Sequence, residues 1–319
     1  GGIEHTILHL LYSRFFTLGI SKLNKNLNFK EPFKNLFTQG MVCHETYKDK
    51  EGNWFSPDEV EKINDKEAII IGSNKKVSVG PAEAMSKSKK NTIDPAKMIE
   101  NYGADAVRLF ILSDSPPEKD VQWSEQGMLA SFKFIQKFWM INSQIKEKIQ
   151  NSTTDSNEEE DIKLAKFTNQ LIDKMNNNLE KFNYNVIIAN MHETYNFLNN
   201  IIDKKINKKA LIENYKKILI IMSPVIPHII NECFEVNKFD INQNWPSIDK
   251  SQLVEEISNI VVQIGGKKKG VIKAKIDSDE KTIMELISKA DKINKYLINK
   301  HINKIFFVKN RLINIVLND

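Results

Sequence analysis

Three stretches hold residues whose types and spacing could do chemistry. In Glu83–Asn91 (EAMSKSKKN), Lys87, Lys89 and Lys90 stand among serines, with no β-branched residue and no hydrophobic period. Such a stretch combines pliant backbone with exposed cations, suited to closing over phosphates in a transition state. Composition alone would favour a plain solvated loop. In Gly1–His9 (GGIEHTILH) two histidines four residues apart share one face at the start of a helix. Zinc proteases use this spacing but place a glutamate directly after the first histidine, where Thr6 stands here, with Glu4 on the other side. Paired glycines before a helix let a ligand approach the backbone, and the helix N-terminus favours an anion. A nucleotide or carboxylate site and a pair of satisfied buried histidines are both open readings. The third stretch, Gly265–Ile276 (GGKKKGVIKAKI), holds Lys267, Lys268, Lys269, Lys273 and Lys275, a pattern suited to salt-dependent phosphate contacts.

The elements that must position these residues follow from periodicity. Ile3 to Leu18 is apolar on nearly every turn and predicts a helix buried on most sides. Leu36 to Val42 predicts a short buried strand, and Glu45 to Val79 a small hairpin-like excursion with a strand at Ala68 to Gly72. Asp94-Pro95 starts a helix that Gly103 closes, and a second helix spans Asp105 to Leu112. Pro116-Pro117 interrupts, and a long helix runs from Ser124 to about Gln150 with Phe132, Phe134, Phe138 and Trp139 as core aromatics. Asn151 to Asp161 has no apolar residue and predicts a solvated loop. Helices over Ile162–Asn178, Asn183–Asp203, Lys208–Met222 and Val225–Phe234 then make an antiparallel bundle, ended by Trp245-Pro246. Near Val254 the period changes: strands at Ile257–Ile264 and Gly270–Ile276 flank a Gly265-Gly266 turn, and helices at Glu280–Lys289 and Asp291–Ile298 precede strands at Lys304–Val308 and Leu312–Leu317.

Composition bounds the function. With 319 residues, two or three units are expected. No apolar run is long enough to span a bilayer. The two cysteines, Cys43 and Cys233, have no CxxC or CxxH partner, which argues against a zinc knuckle or disulfide framework and fits a reducing cytoplasm. The opening at Gly1 shows no signal peptide and reads as a piece of something longer. The net charge of +5 lies wholly in the tail, where Ile248 to Asp319 carries 14 Lys/Arg against 9 Asp/Glu. A basic terminal module suggests a polyanion such as RNA, although a chain so rich in Lys, Asn and Ile also looks like the product of an A/T-biased genome.

MSKSKKNTIDP resembles the KMSKS signature of class I aminoacyl-tRNA synthetases, and GGIEHTILHLLYSRFF followed by EPFKNLFTQGMV is similar to leucyl-tRNA synthetases in particular. The resemblance continues through NYGADAVRLFILSDSPPEKDVQWSEQG, MSPVIPHIINECF and VVQIGGKKKGVIKAKI, covering essentially the whole chain. It implies a multidomain α/β and all-α architecture: residues 1–123 as the C-terminal half of a Rossmann-like nucleotide-binding domain with the signature loop and a stem-contact region, 124–247 as a class Ia anticodon-binding-like helical bundle, and 248–319 as a small α+β tRNA-binding domain. It further implies a leucine–tRNA ligase, with Lys87 on the β- and γ-phosphates of ATP and Met85, Ser86 and Ser88 shaping the loop. Gly1, Gly2 and Glu4 would sit near the nucleotide, Gln39, Gly40, Met41 and Val42 would run past the adenine, and His5 and His9 would line the leucine pocket. The tail lysines would touch tRNA(Leu). ATP enters with Mg²⁺ as substrate, no metal is held by the chain's own residues, and the setting is cytoplasmic. One departure is Ala84, where the family signature has its first lysine; Lys89 or Lys90 would partly replace that charge. None of the six histidines stands in the HxGH string of the second class I signature. That half and the editing domain are therefore expected upstream, and the chain alone is expected to be inactive. The alternative is a free-standing tRNA-binding module that has lost activation.

Overall fold

In the computed structural model, α1 spans Ile3–Leu23. The residues described are all except 1–2, 28, 152–156, 243, 254–256, 299 and 318–319, and the side chains of 3–5 and 257. The glycine entry to α1 and the side chains of Glu4 and His5 thus lie outside the described residues. The chain forms two compact units, Gly1–Ile248 and Asp249–Asp319.

The apolar residues around α1 mark it for burial, but it is uncovered. Ile7 is 76%, Phe15 72% and Leu23 89% exposed, and α1 makes no substantial packing with another described element. An Arg14–Glu31 ion pair of 2.7 Å ties it to the next segment. The expected burial is overturned because no described element supplies a substantial opposing surface.

The expected strand over Leu36–Val42 forms only from its last residue. Leu36 to Met41 has no regular structure, and β1 (Val42–Lys48) begins where that run ends. The excursion beyond is larger than a hairpin. β2 (Trp54–Phe55), β3 (Val60–Lys62), β4 (Glu67–Ile70) and β5 (Lys76–Ala84) form a sheet in the order β2-β1-β5-β4-β3. Tyr47, Val60, Ala68 and Val77 make its core. All these pairs are antiparallel; the one parallel pair joins β1 to β6 (Val121–Gln122). Where half a parallel sheet was expected, the described residues of this sheet therefore supply a single parallel pair.

Asp94 caps α2 (Pro95–Tyr102), accepting the Ala96 N–H at 2.9 Å, and Gly103 ends the helix at φ 81°. The next helix, α3 (Ala104–Ser113), is locked to the bundle by two side chains. The buried Asp105 carboxylate accepts the N–H groups of His228 (3.3 Å) and Ile229 (2.7 Å). Arg108 donates to the carbonyls of Val225 (2.9 Å) and Pro224 (2.7 Å).

The bundle comprises α4 (Glu125–Asn151), α5 (Glu158–Glu180), α6 (Tyr184–Ile201), α7 (Lys208–Met222) and α8 (Pro227–Val236). Phe134 and Phe138 are core as expected, whereas Trp139 is 38% exposed. The predicted loop to Asp161 is cut short: Asn157 caps α5, and Glu158 to Asp161 form its first turn, where negative charge favours the helix dipole. Tyr215, fully buried, donates to Asn142 at 2.9 Å. Both cysteines are buried free thiols, Cys43 on β1 and Cys233 in the bundle core.

In the second unit β7 (Ile257–Ile264) and β8 (Lys267–Lys275) are joined by Gly265 and Gly266 at φ 56° and 77°. α9 (Glu280–Ser288) and α10 (Asp291–Asn294) precede β9 (Ile302–Val308) and β10 (Leu312–Leu317), giving the sheet order β8-β7-β10-β9. Ile260, Val262, Ile272, Ala274, Ile313 and Ile315 pack on Ile283, Ile287 and Ile293 of the helices.

Candidate functional site

The lysine loop leaves the end of β5, where Glu83 and Ala84 pair with His44 and Cys43 of β1. Met85 continues this pairing, its N–H donating to Val42 O at 3.2 Å. Met85 and Ser86 are half-buried, and Lys87 and Ser88 are exposed. The loop is more tightly bonded than its composition suggests. Asn91 is fully buried at its far end. Its side-chain oxygen accepts the Ser86 N–H (2.8 Å), and its Nδ2 donates to His44 O and Glu83 O, both at 3.2 Å. One side chain therefore closes the loop into a ring and fastens it to β1. Within the ring, the Ser86 hydroxyl accepts the Lys89 N–H (3.3 Å), Ser86 and Ser88 hydroxyls lie 3.3 Å apart, and Lys90 N–H donates to Lys87 O (3.3 Å). Lys90 itself is left-handed at φ 54°, a conformation that costs a residue bearing a Cβ about 1 kcal/mol or more.

The three cations are not equivalent. Lys89 pairs with Glu83, and Lys90 lies 3.7 Å from Glu59. Hydrogen bonding from Ser56 holds the Glu59 carboxyl below its usual range, with Lys90 adding to the effect. Lys87 has no ion pair among the described residues. A phosphate reaching the loop would meet Lys87 without breaking anything, whereas Lys89 and Lys90 must first leave their carboxylates. Ala84, at the exposed end of β5, leaves the position of the missing signature lysine without a cation.

Gln39, Gly40, Met41 and Val42 run alongside the segment after Pro117. Gly40 N–H donates to Pro117 O and Met41 N–H to the Asp120 carboxylate, both at 2.8 Å. A side chain at Gly40 would collide with the backbone of Lys119 and Asp120, so glycine is required there. Through Val42 this segment and the loop share one strand. The other expected part of the site is not assembled with them. Gly1 and Gly2, and the side chains of Glu4 and His5, lie outside the described residues. His9 is exposed on α1, which makes no substantial packing with another described element. No group of three or more His, Cys, Asp or Glu among the described residues is placed to hold a metal.

The five tail lysines divide by strand alternation. Ile272 and Ala274 of β8 point into the core, which puts Lys273 and Lys275 on the opposite face. A bulge follows the Val262–Gly270 pair; beyond it Lys268 pairs with Gln263 and Lys267 with Ile264, a residue packed on the core. Lys269 lies 4.4 Å from the Tyr296 ring centroid, stacked over a residue just beyond α10. The lysine run is therefore not one continuous patch.

Two residues were missed from sequence, Asn91, which shapes the loop, and Asp105, which holds α3 to α8. Asn91 carried one usable signal, a lone amide between the lysine run and the Asp94-Pro95 helix start. Asp105 read only as the first residue of a helix.

Comparison with known proteins decides the lineage. Residues 161–284 match the anticodon-binding domain of tRNA ligase, and residues 77–124 match class I tRNA synthetases for I, L, M and V. The leucine–tRNA ligase of Bartonella quintana is 38% identical over 99% of this chain and 37% of its own length. The chain is a homologue of the leucine–tRNA ligases. The leucine–tRNA ligase of Wolbachia pipientis subsp. Culex pipiens is 36% identical over 99% of this chain and 38% of its own length. Among solved structures, the Agrobacterium radiobacter K84 agnB2 LeuRS, in a ternary complex with tRNA and LeuAMS, aligns with a TM-score of 0.70 at 25% identity, covering 100% of this chain and 38% of that one. The chain thus spans little more than a third of the length of these relatives. Among the described residues no helix is long and apolar enough to cross a membrane.

Proposed function

We propose that this chain is the C-terminal part of a leucine–tRNA ligase, working in the cytoplasm with an upstream half that completes the nucleotide-binding fold. The observation that carries the reading is the signature loop, held in shape by Asn91 with Lys87 as its uncommitted cation. In the reaction the leucine carboxylate attacks the α-phosphorus of ATP, supplied as its Mg²⁺ complex, and pyrophosphate leaves. A terminal hydroxyl of tRNA(Leu) then takes the leucyl group from the adenylate. In-line attack of this kind asks the protein for position and charge neutralisation more than covalent help. Lys87 would meet the charge that accumulates on the β- and γ-phosphates, and the backbone of Gln39–Val42 would flank the adenine. Gly1, Gly2, Glu4, His5 and His9 would complete the site once α1 is covered. The uncovered apolar circumference of α1 supports an upstream partner, since large exposed apolar patches mark interaction surfaces.

The test is leucine-dependent exchange of labelled pyrophosphate into ATP, with this chain alone and after mixing with a separately expressed upstream half of a related synthetase. Exchange is expected only in the mixture, and Lys87→Ala should lower it about 10²- to 10³-fold, the usual effect of losing one transition-state charge partner. No exchange in the mixture, with both halves folded and associated, would leave a tRNA-binding module as the function.

A further inference from the structure

The first unit holds a cavity of about 630 Å³ between β1, β3 and the start of α4. It is built at an irregularity. The pairing of β1 with β5 slips between His44 and Thr46, and a slip of this kind re-aims side chains. Strict alternation would send His44 and Glu45 to opposite faces, whereas here both line the cavity, together with Tyr47. Glu61 and Lys62 come from β3, and Trp123 and Glu125 from the entry to α4.

The charges of this cavity are unbalanced. Three carboxylates, Glu45, Glu61 and Glu125, line it with a single ammonium, and that ammonium is already committed. Lys62 donates to both Glu45 oxygens, at 2.8 and 3.0 Å, and lies 3.1 Å from Asp65. The side chains of Glu61 and Glu125 have no ion pair or hydrogen bond among the described residues. A buried ring adds a free acceptor. His44 is only 8% exposed, and its Nδ1 lies 2.9 Å from the Glu45 carbonyl, an oxygen that can only accept, so the hydrogen sits on Nδ1. Nε2 of the neutral ring then keeps its lone pair, and it has no partner among the described residues. The Tyr47 hydroxyl donates to Glu45 at 3.4 Å, and burial with Glu45 alongside pushes the phenol up to about 12, so it stays neutral.

Among the described residues no three of these groups are close enough to share one metal ion. Carboxylates set apart in this way suit a cation with charge at both ends. The Trp123 ring, held edge-on against Phe110 with centroids 5.0 Å apart, offers a wall for methylenes and a π-face for an ammonium. We propose that this cavity is a binding site for a linear aliphatic diamine, its two ammonium groups meeting Glu61 and Glu125 and one of them donating to His44 Nε2. None of these residues belongs to the proposed leucine and nucleotide site. The two places are nevertheless linked, because the His44 carbonyl and the Ser86 N–H are both held by the Asn91 amide. A diamine that steadies β1 at His44 therefore steadies the signature loop at Ser86.

The experiment is calorimetric titration of the full chain with 1,4-diaminobutane at constant ionic strength, with butylamine and tetramethylammonium as controls. Saturable binding of one diamine per chain is expected. Butylamine, which lacks the second charge-assisted contact, should bind roughly tenfold more weakly, and tetramethylammonium, which has no N–H to donate, should not bind. Glu61→Gln, Glu125→Gln and His44→Phe should each weaken the diamine roughly tenfold, with folding checked by circular dichroism. Glu61 and Glu125 are exposed, so their variants test the site even if His44→Phe fails to fold. Glu180→Gln, at the far end of α5, should leave the affinity unchanged. Hydrogen exchange at the Ser86 amide should slow when the diamine is bound. Absence of saturable binding, or wild-type affinity in both glutamine variants, would overturn the site. Unchanged exchange at Ser86 would overturn its link to the loop. Loss of diamine binding when an upstream half is added would assign the cavity to a basic side chain of that half and overturn the free diamine.

Discussion

Asn91 shows how much of a reactive loop can depend on a residue that never meets substrate. Its amide satisfies two carbonyls and one N–H, two of these groups belonging to the loop's first residues and one to β1. Asn91→Ala would leave those groups without partners in a largely dry setting, and each unsatisfied group costs on the order of 1–3 kcal/mol. We expect a loss of about 2–3 kcal/mol in urea unfolding of the chain, with faster hydrogen exchange at the Ser86 amide. Unchanged stability and exchange would mean that water replaces the amide. From sequence, the lysines were legible because their chemistry is displayed by residue type. Asn91 was not, because an amide has no signature until its three partners are placed, and one of them lies on a strand 47 residues earlier. The pairing of Lys89 and Lys90 with Glu83 and Glu59 was invisible for the same reason.

Among the elements, those with strong local signals were read closely. α7 runs over the expected Lys208–Met222, preceded by Asn207, whose side chain accepts the Lys209 and Ala210 amides. β7 and β10 also match, since each alternates cleanly and ends at a turn. The β1–β5 sheet was read as a hairpin because three of its strands have only two to four residues, too short to show a period. The start of α5 was read as loop because four consecutive acids look solvated, yet in a first turn they favour the helix. The junction between α3 and the bundle belongs to this scale. Asp105 serves as a remote cap for α8, whose own cap position, Ile226, offers no side-chain hydrogen bond. Asp105→Ala should lower the thermal stability of the first unit by about 2 kcal/mol, and Asp105→Asn, which keeps one acceptor, by about half of that. A melting curve unmoved by Asp105→Ala would show that the Arg108 contacts alone hold the junction.

For the whole molecule the largest departure from expectation is α1, and it concerns supply rather than pattern. Its periodicity gave the helix correctly, and its apolar circumference gave the demand for burial; whether a chain can meet that demand is not written in the helix. A chain with this surface exposed should self-associate. Replacing Ile7, Leu11 and Phe15 by lysine along one stripe should shift its sedimentation toward monomer and abolish complementation by an upstream half. Unaltered sedimentation in the triple variant would place the association elsewhere. The two thiols carry a different, practical consequence. Cys43 and Cys233 are buried, and burial pushes both up, Cys233 to about 12, so neither offers a thiolate at neutral pH. Both native thiols are therefore poor targets for a maleimide dye, and a single Phe306→Cys or Ser88→Cys change should direct labelling to the new thiol without first removing either cysteine.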